Sequence, residues 1–315
     1  MVQQERLGAS KQASFPKRVQ IVEVGPRDGL QAERTFVPTD IKIALVNRLV
    51  AAGVQRIEAA SFVSPKWVPQ MADGAAVVAG IDRVPGVSYA ALTPNIKGLE
   101  AAIESKVDEV VIFGSASEAF CLRNINCSVA ESLERFSPVA RMAKDAGLRL
   151  RASISCSFGC PYQGPVDVDA VVDMVRRFRD LGCDEIDIAD TIGVGTVRQV
   201  QQGVEAASMA FPLECLAGHF HDTYGQALAN IVGALQVGMS VFHASVGGLG
   251  GCPYAKGATG NVATEDLLYL LDGLGIETGI DLDAIVSVGD WVSQQMGKEN
   301  GARAGRALMA RKASS

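Results

Sequence analysis

No uninterrupted apolar run in these 315 residues approaches the roughly 18–20 residues that a membrane-spanning helix needs. No basic block is present either, and a net charge of −6 argues against a nucleic-acid surface. The cysteines make no disulfide framework. Seven is an odd number, and Cys156 and Cys160 are separated by three residues where a redox or zinc-knuckle motif has two. Reduced thiols in a cytoplasm suit that pattern. Phosphate-binding signatures are missing as well. Gly193-Val194-Gly195 lacks a third glycine at the dinucleotide offset, and Lys256-Gly257 reverses the order of a phosphate loop. The first 18 residues have no signal-type apolar stretch, contain Glu5 and carry only Arg6, Lys11, Lys17 and Arg18 as basic residues. The expectation there is a flexible tail (1–18) and no organelle address. Only three histidines occur, which gives weight to two of them standing two residues apart.

Apolar residues make up 48% of the chain, enough for a sizeable core. Short β-branched runs at 19–24, 55–60, 87–92, 109–113, 148–155, 185–189, 214–220 and 240–246 read as strands. Amphipathic stretches of helical length lie between them, for example 39–52, 128–146, 167–181, 197–210 and 225–238. Several end in a glycine just before the next strand (Gly53, Gly147, Gly182, Gly238), the usual place for a helix C-cap. Eight strand–helix units predict a single (β/α)8 TIM barrel over 19–300, with extra C-terminal helices and a loose tail at 301–315. An open doubly wound sheet is the alternative, and the missing dinucleotide fingerprint weighs against it.

A barrel of this kind carries its chemistry at the C-terminal ends of its strands. The first strand ends in Glu23-Val24-Gly25-Pro26-Arg27-Asp28-Gly29, the second carries Glu58, and the fifth carries Arg151. The sixth ends in Asp190-Thr191, the seventh in His219-Phe220-His221-Asp222, and the eighth runs into a glycine-rich stretch at 247–261. Charge gathered in a barrel mouth is costly unless it is paired or binds a metal. His219 and His221, at i and i+2 on a strand, point the same way. With Asp28 as carboxylate they make a plausible divalent-metal site, whereas an ordinary structural reading makes one of them a hydrogen-bonding support. Arg27 either closes a salt bridge or stabilises an enolate oxygen formed from a thioester. Glu58 is expected to orient its neighbours. Cys252, between Gly251 and Pro253, is the thiol expected to serve as a general acid or base on a closing loop. The other six cysteines read as small hydrophobes, and His243, mid-strand without charged company, reads as structural.

The segments Val22-Glu23-Val24-Gly25-Pro26-Arg27-Asp28-Gly29-Leu30-Gln31, Ser61-Phe62-Val63-Ser64-Pro65-Lys66-Trp67-Val68-Pro69-Gln70-Met71, Asp190-Thr191-Ile192-Gly193-Val194-Gly195-Thr196 and Gly248-Leu249-Gly250-Gly251-Cys252-Pro253-Tyr254-Ala255-Lys256-Gly257 closely resemble the 3-hydroxy-3-methylglutaryl-CoA lyase family. That family lies within the metal-dependent Claisen lyases and synthases. The resemblance runs from about residue 16 to the helix after Asn261. It implies a carbon–carbon lyase that splits 3-hydroxy-3-methylglutaryl-CoA into acetyl-CoA and acetoacetate, the chemistry of leucine degradation and ketone-body formation. It further implies Mg²⁺ or Mn²⁺ on Asp28, His219, His221 and Asn261, with Arg27 polarising the thioester, Glu58 supporting the geometry and Cys252 as the loop thiol. Glu23, Arg151 and Asp190 match positions that support the substrate or the site. The general base stays open between His219 and Asp28. A homodimer is implied, and with no transit peptide or peroxisomal ending, a bacterial cytoplasm is expected.

Three other functions compete. A condensing synthase would use the same barrel in the opposite direction, usually with a further regulatory domain. A lyase for citramalyl-CoA or a longer branched 3-hydroxyglutaryl-CoA would differ by one or two pocket side chains. A barrel that binds acyl-CoA without turnover would need a broken acid or metal set.

Overall fold

Alternation within the strands decides how this chain closes on itself. The computed structural model describes residues 15–33, 35–251 and 260–313. Eight strands, β1 (Gln20–Glu23), β2 (Arg56–Ser61), β3 (Ser88–Leu92), β4 (Glu109–Ser115), β5 (Arg149–Ser155), β6 (Glu185–Asp190), β7 (Leu216–Phe220) and β8 (Val241–Ala244), pair in parallel and in sequence order, and β8 returns to β1. One face of each strand is apolar. Ile57, Val110, Ile112, Leu150, Ile154, Ile186, Ile188 and Phe242 are fully buried in the layer between sheet and helices.

That outer layer is α1 (Thr39–Ala51), α2 (Gly74–Gly80), α3 (Ile96–Glu104), α4 (Glu118–Ile125), α5 (Val129–Asp145), α6 (Val168–Asp180), α7 (Val197–Ser208), α8 (Ala227–Val237) and α9 (Thr264–Gly273). The helix α6 shows why these segments form where they do. The Asp167 side chain caps it by accepting from the Asp169 amide, and Gly182 follows its end at φ 83°. Val171, Met174, Val175 and Phe178 recur at helical spacing on its buried face, each worth roughly 1.5–3 kcal/mol of burial. All four glycines expected to end helices take positive φ. Among the described residues no helix is long and apolar enough to cross a membrane.

Two boundaries differ from expectation. The N-terminal tail is fixed earlier than residue 19, because Glu277 accepts from the Val19 amide and donates its own to the Lys17 carbonyl. The C-terminal end is not a loose tail. After α10 (Leu282–Gln295), α11 (Arg303–Ala313) forms, and its first turn is capped from outside: the Asp266 carboxylate accepts from the Arg303 and Ala304 amides. A cap supplied by α9 leaves no trace in the local sequence.

The opposite strand face lines the barrel interior and is strongly polar at its N-terminal end. Arg56 reaches Glu185 at 2.6 Å and Glu109 at 2.9 Å, and Arg149 reaches the same two carboxylates at 2.9 and 3.0 Å. This layer closes the floor beneath the site.

Candidate active site

Asp28 leaves β1 in a single wide helical turn, Gly25–Gly29, that packs against the turn after β8. A Cβ at Gly29 would lie 2.7 Å from Ser245 Oγ and 2.8 Å from Leu249 Cβ, so only glycine allows this approach. His219 and His221 project from the end of β7, their rings 5.4 Å apart. The segment after the glycine-rich stretch returns along β7, where Asn261 bridges to His221 and its amide Nδ2 lies 2.8 Å from Asp28 Oδ2. The ligand atoms of Asp28, His219 and His221 all lie within 4.8 Å of one another.

This donor set fits a divalent cation. Burial, with His219 alongside, pushes His221 down to about 4, so its imidazole is neutral and able to ligate at neutral pH. Its Nδ1 is buried with no hydrogen-bond partner among the described residues. Burial alone would raise Asp28, but the Arg27 guanidinium beside it, helped by the hydrogen bond from Asn261, outweighs burial and holds the carboxyl well below the usual carboxylate range.

Arg27 forms the expected salt bridges and also borders the cavity. Its Nε donates to Glu58 Oε1 at 2.5 Å and its Nη1 to Asp28 Oδ1 at 2.9 Å, and the guanidinium also lines a cavity of about 1360 Å³. Glu58 is shared, because its Oε2 accepts from Arg151 Nη2 at 2.7 Å. Burial would raise Glu58, but the two flanking guanidiniums hold it low. The sheet register slips between Glu58 and Ala60, a local irregularity of the kind that re-aims a side chain. Val63, Trp67, Leu92 and Phe113 line the cavity together with Arg27, Asp28, His219 and His221.

Glu23 and Asp190 do not face this cavity. Glu23 accepts from the amides of Gly25 and Val246 and from Thr264 Oγ1, so it ties the turn after β1 to the turn after β8. Asp190 accepts from the amides of Val194 and Gly195 and shapes the loop between β6 and α7. Both are supports. Arg151 lies inside the barrel beneath the mouth, joined to Glu58 above and 2.9 Å from Glu109 below. Cys252 lies outside the described residues.

His243 is not the isolated side chain expected from sequence. The pairing of β7 with β8 puts it opposite His219, with Nδ1 3.1 Å from His219 Nδ1, while Arg151 Nη1 approaches its Nε2 at 2.9 Å. Sequence reading also missed Asp187, a buried carboxyl on the cavity floor that accepts from Ser153 Oγ at 2.7 Å. Burial pushes it up to about 6. The signal was present as charged pairs at i and i+2 inside apolar strands, Arg149 with Arg151 and Glu185 with Asp187.

The chain resembles known proteins in sequence and in fold. The family description HMGL-like matches residues 18–292. A Pseudomonas aeruginosa protein named 3-hydroxy-3-isohexenylglutaryl-CoA/hydroxy-methylglutaryl-CoA lyase is 57% identical over 95% of this chain and 99% of its own length. A crystal structure of hydroxymethylglutaryl-CoA lyase from Pseudomonas aeruginosa superposes with a TM-score of 0.93 at 57% identity, covering 94% of this chain and 99% of the other. A lyase structure from Acinetobacter baumannii, described as a complex with coenzyme A and 3-methylmalate, gives 0.89 at 38% identity over 93% and 96% of the two chains.

Proposed function

This chain belongs to the HMGL-like family, and from that premise we propose that it is a carbon–carbon lyase cleaving (S)-3-hydroxy-3-methylglutaryl-CoA to acetyl-CoA and acetoacetate. The observation that carries the reading is the convergence of Asp28, His219 and His221 on one point, with Arg27 hydrogen-bonded beside it at the cavity wall.

Asp28, His219, His221 and Asn261 would hold a divalent cation, Mg²⁺ or Mn²⁺, which when bound supplies Lewis-acid polarisation of substrate oxygens. His219 or Asp28 takes the proton of the tertiary hydroxyl. As that O–H electron pair becomes the new carbonyl, the C2–C3 bond breaks. Its electrons pass into the thioester, leaving acetoacetate and the enolate of acetyl-CoA. Arg27, held at two edges by Glu58 and Asp28, presents its guanidinium to the enolate oxygen without reorganising. Cys252 delivers the proton that converts the enolate carbon into the methyl group of acetyl-CoA.

The test is acetoacetate release from (S)-3-hydroxy-3-methylglutaryl-CoA by purified protein with Mg²⁺ or Mn²⁺, repeated after chelation. Turnover that disappears with chelator and returns with metal is the expected result. Tight metal binding without cleavage would overturn the substrate assignment and leave the site.

A further inference from the structure

The mechanism above reaches no deeper than Glu58, yet the line of charges continues below it to the barrel floor. Four guanidiniums (Arg27, Arg56, Arg149 and Arg151) meet four carboxylates (Asp28, Glu58, Glu109 and Glu185), and each guanidinium touches two of them. Arg56 and Arg149 both span Glu109 and Glu185, which completes the floor. Arg151 spans Glu109 and Glu58, and Arg27 spans Glu58 and Asp28. Among the described residues Glu109 is therefore the one carboxylate that joins the floor to the site. It opens β4, is 1% exposed, and has its Oε1 2.9 Å from Arg151 Nε. That contact lacks the alignment of a hydrogen bond, so it acts through charge. Nε and Nη2 share one edge of a guanidinium, an edge that a single carboxylate can grip with both oxygens. In Arg151 this edge is divided, with Glu109 at Nε and Glu58 Oε2 accepting from Nη2 at 2.7 Å. The division leaves Glu58 Oε1 free to accept from Arg27 Nε at 2.5 Å.

We propose that Glu109 is a positioning residue for Arg27: by standing at Arg151 Nε it keeps Arg151 from drawing both oxygens of Glu58 to itself, and so keeps Glu58 on Arg27. Two buried cations compete here for one carboxylate. Without the charge of Glu109, Glu58 is the only carboxylate left in ion-pair contact with Arg151 among the described residues. A buried guanidinium with a single carboxylate is held best by a bidentate pair. Glu58 then turns both oxygens down to Arg151, and Arg27 keeps only Asp28, its neighbour in the same turn. The guanidinium loses the second edge that aims it at the enolate oxygen.

The proposal rests on the reading of Arg27 as the group that meets the enolate oxygen, so one of its two readouts needs no substrate. The first is a crystal structure of Glu109→Gln. The second is kcat for 3-hydroxy-3-methylglutaryl-CoA in wild type, Glu109→Gln, Arg27→Gln and the double variant. In the crystal, Glu58 should pair with Arg151 through both oxygens and leave Arg27 Nε. In the wild-type background, Glu109→Gln should lower kcat by about ten- to a hundred-fold, the scale of a displaced reacting group. In the Arg27→Gln background the same change should cost less than about two-fold, because the residue it positions is already gone. A role confined to holding the fold would cost activity equally in both backgrounds. Equal losses, or a Glu58 that stays on Arg27 in the variant crystal, would overturn the proposal. Should Glu109→Gln not fold, Glu109→Asp draws the same charge back from Arg151 Nε and runs the same cycle. A kcat loss is expected there only where Arg27 is present, and no loss in either background overturns the proposal. Wild-type protein that cleaves nothing would overturn the substrate reading instead, and the position of Glu58 in the variant crystal would still judge Glu109.

Discussion

Replacing Glu58 by Gln removes the one carboxylate that joins the two guanidiniums of the site. Glu58 is 1% exposed, and its oxygens take Arg27 Nε at 2.5 Å and Arg151 Nη2 at 2.7 Å. An amide of the same shape can accept from one guanidinium and must turn its NH₂ toward the other. Breaking a buried ion pair from one side costs about 3–5 kcal/mol, because the remaining charge keeps its burial and loses its partner. Arg27 retains Asp28 and Arg151 retains Glu109, so the lower end applies, about 3 kcal/mol. For a chain of 315 residues that corresponds to a fall in Tm of about 5 °C. The carboxyl is held below its ordinary value by the two guanidiniums, so its stabilisation is complete above the unfolded value of 4.5 and is lost as pH falls through the folded one. The gap between wild type and Glu58→Gln should therefore be full at pH 7 and shrink in acid. Freed from Glu58, Arg27 loses its fixed approach to the enolate oxygen, and a displacement near 1 Å costs on the order of a hundred-fold in kcat. The assay pairs thermal melting at pH 7 and pH 4 with steady-state acetoacetate release. A melting temperature within 1 °C of wild type together with unchanged kcat would refute the reasoning, because the shared carboxylate would then hold neither arginine.

Arg27→Gln should lower kcat by about a hundred- to a thousand-fold, the scale of one lost oxyanion donor, and near-normal turnover would remove the enolate role. The two buried carboxyls that tie down the turn after β8 should make stability fall with pH. Burial raises Glu265 from 4.5 to about 8 and Glu23 to about 7, so above 4.5 the folded protein keeps protons that the unfolded chain releases. Tm should decline as pH rises from about 4.5 toward 8 and level off above it, and Glu265→Gln should flatten that slope; identical slopes in the two proteins would sink the assignment to Glu265.

Local pattern determined a good deal of this protein. Eight apolar runs separated by amphipathic segments are enough to specify a barrel, since a parallel strand buried behind a helix has to be apolar on its outer face. The i, i+2 spacing of His219 and His221 and the Arg27-Asp28 pair were legible for the same reason, because period two on a strand fixes a common direction. Tertiary structure decided the rest. Asn261 reaches Asp28 only because the segment after the glycine-rich stretch folds back along β7. His243 meets His219 only through the register of two strands 24 residues apart in sequence. Glu23 and Asp190 sit at strand ends as the residues of the candidate site do, but their carboxylates turn toward backbone amides of neighbouring loops and away from the cavity. Residues 303–313 became a helix because Asp266 on α9 caps them. A sequence states which side chains are able to pair; closure of the barrel brings groups from separate strands within a few ångströms and so selects which of them do.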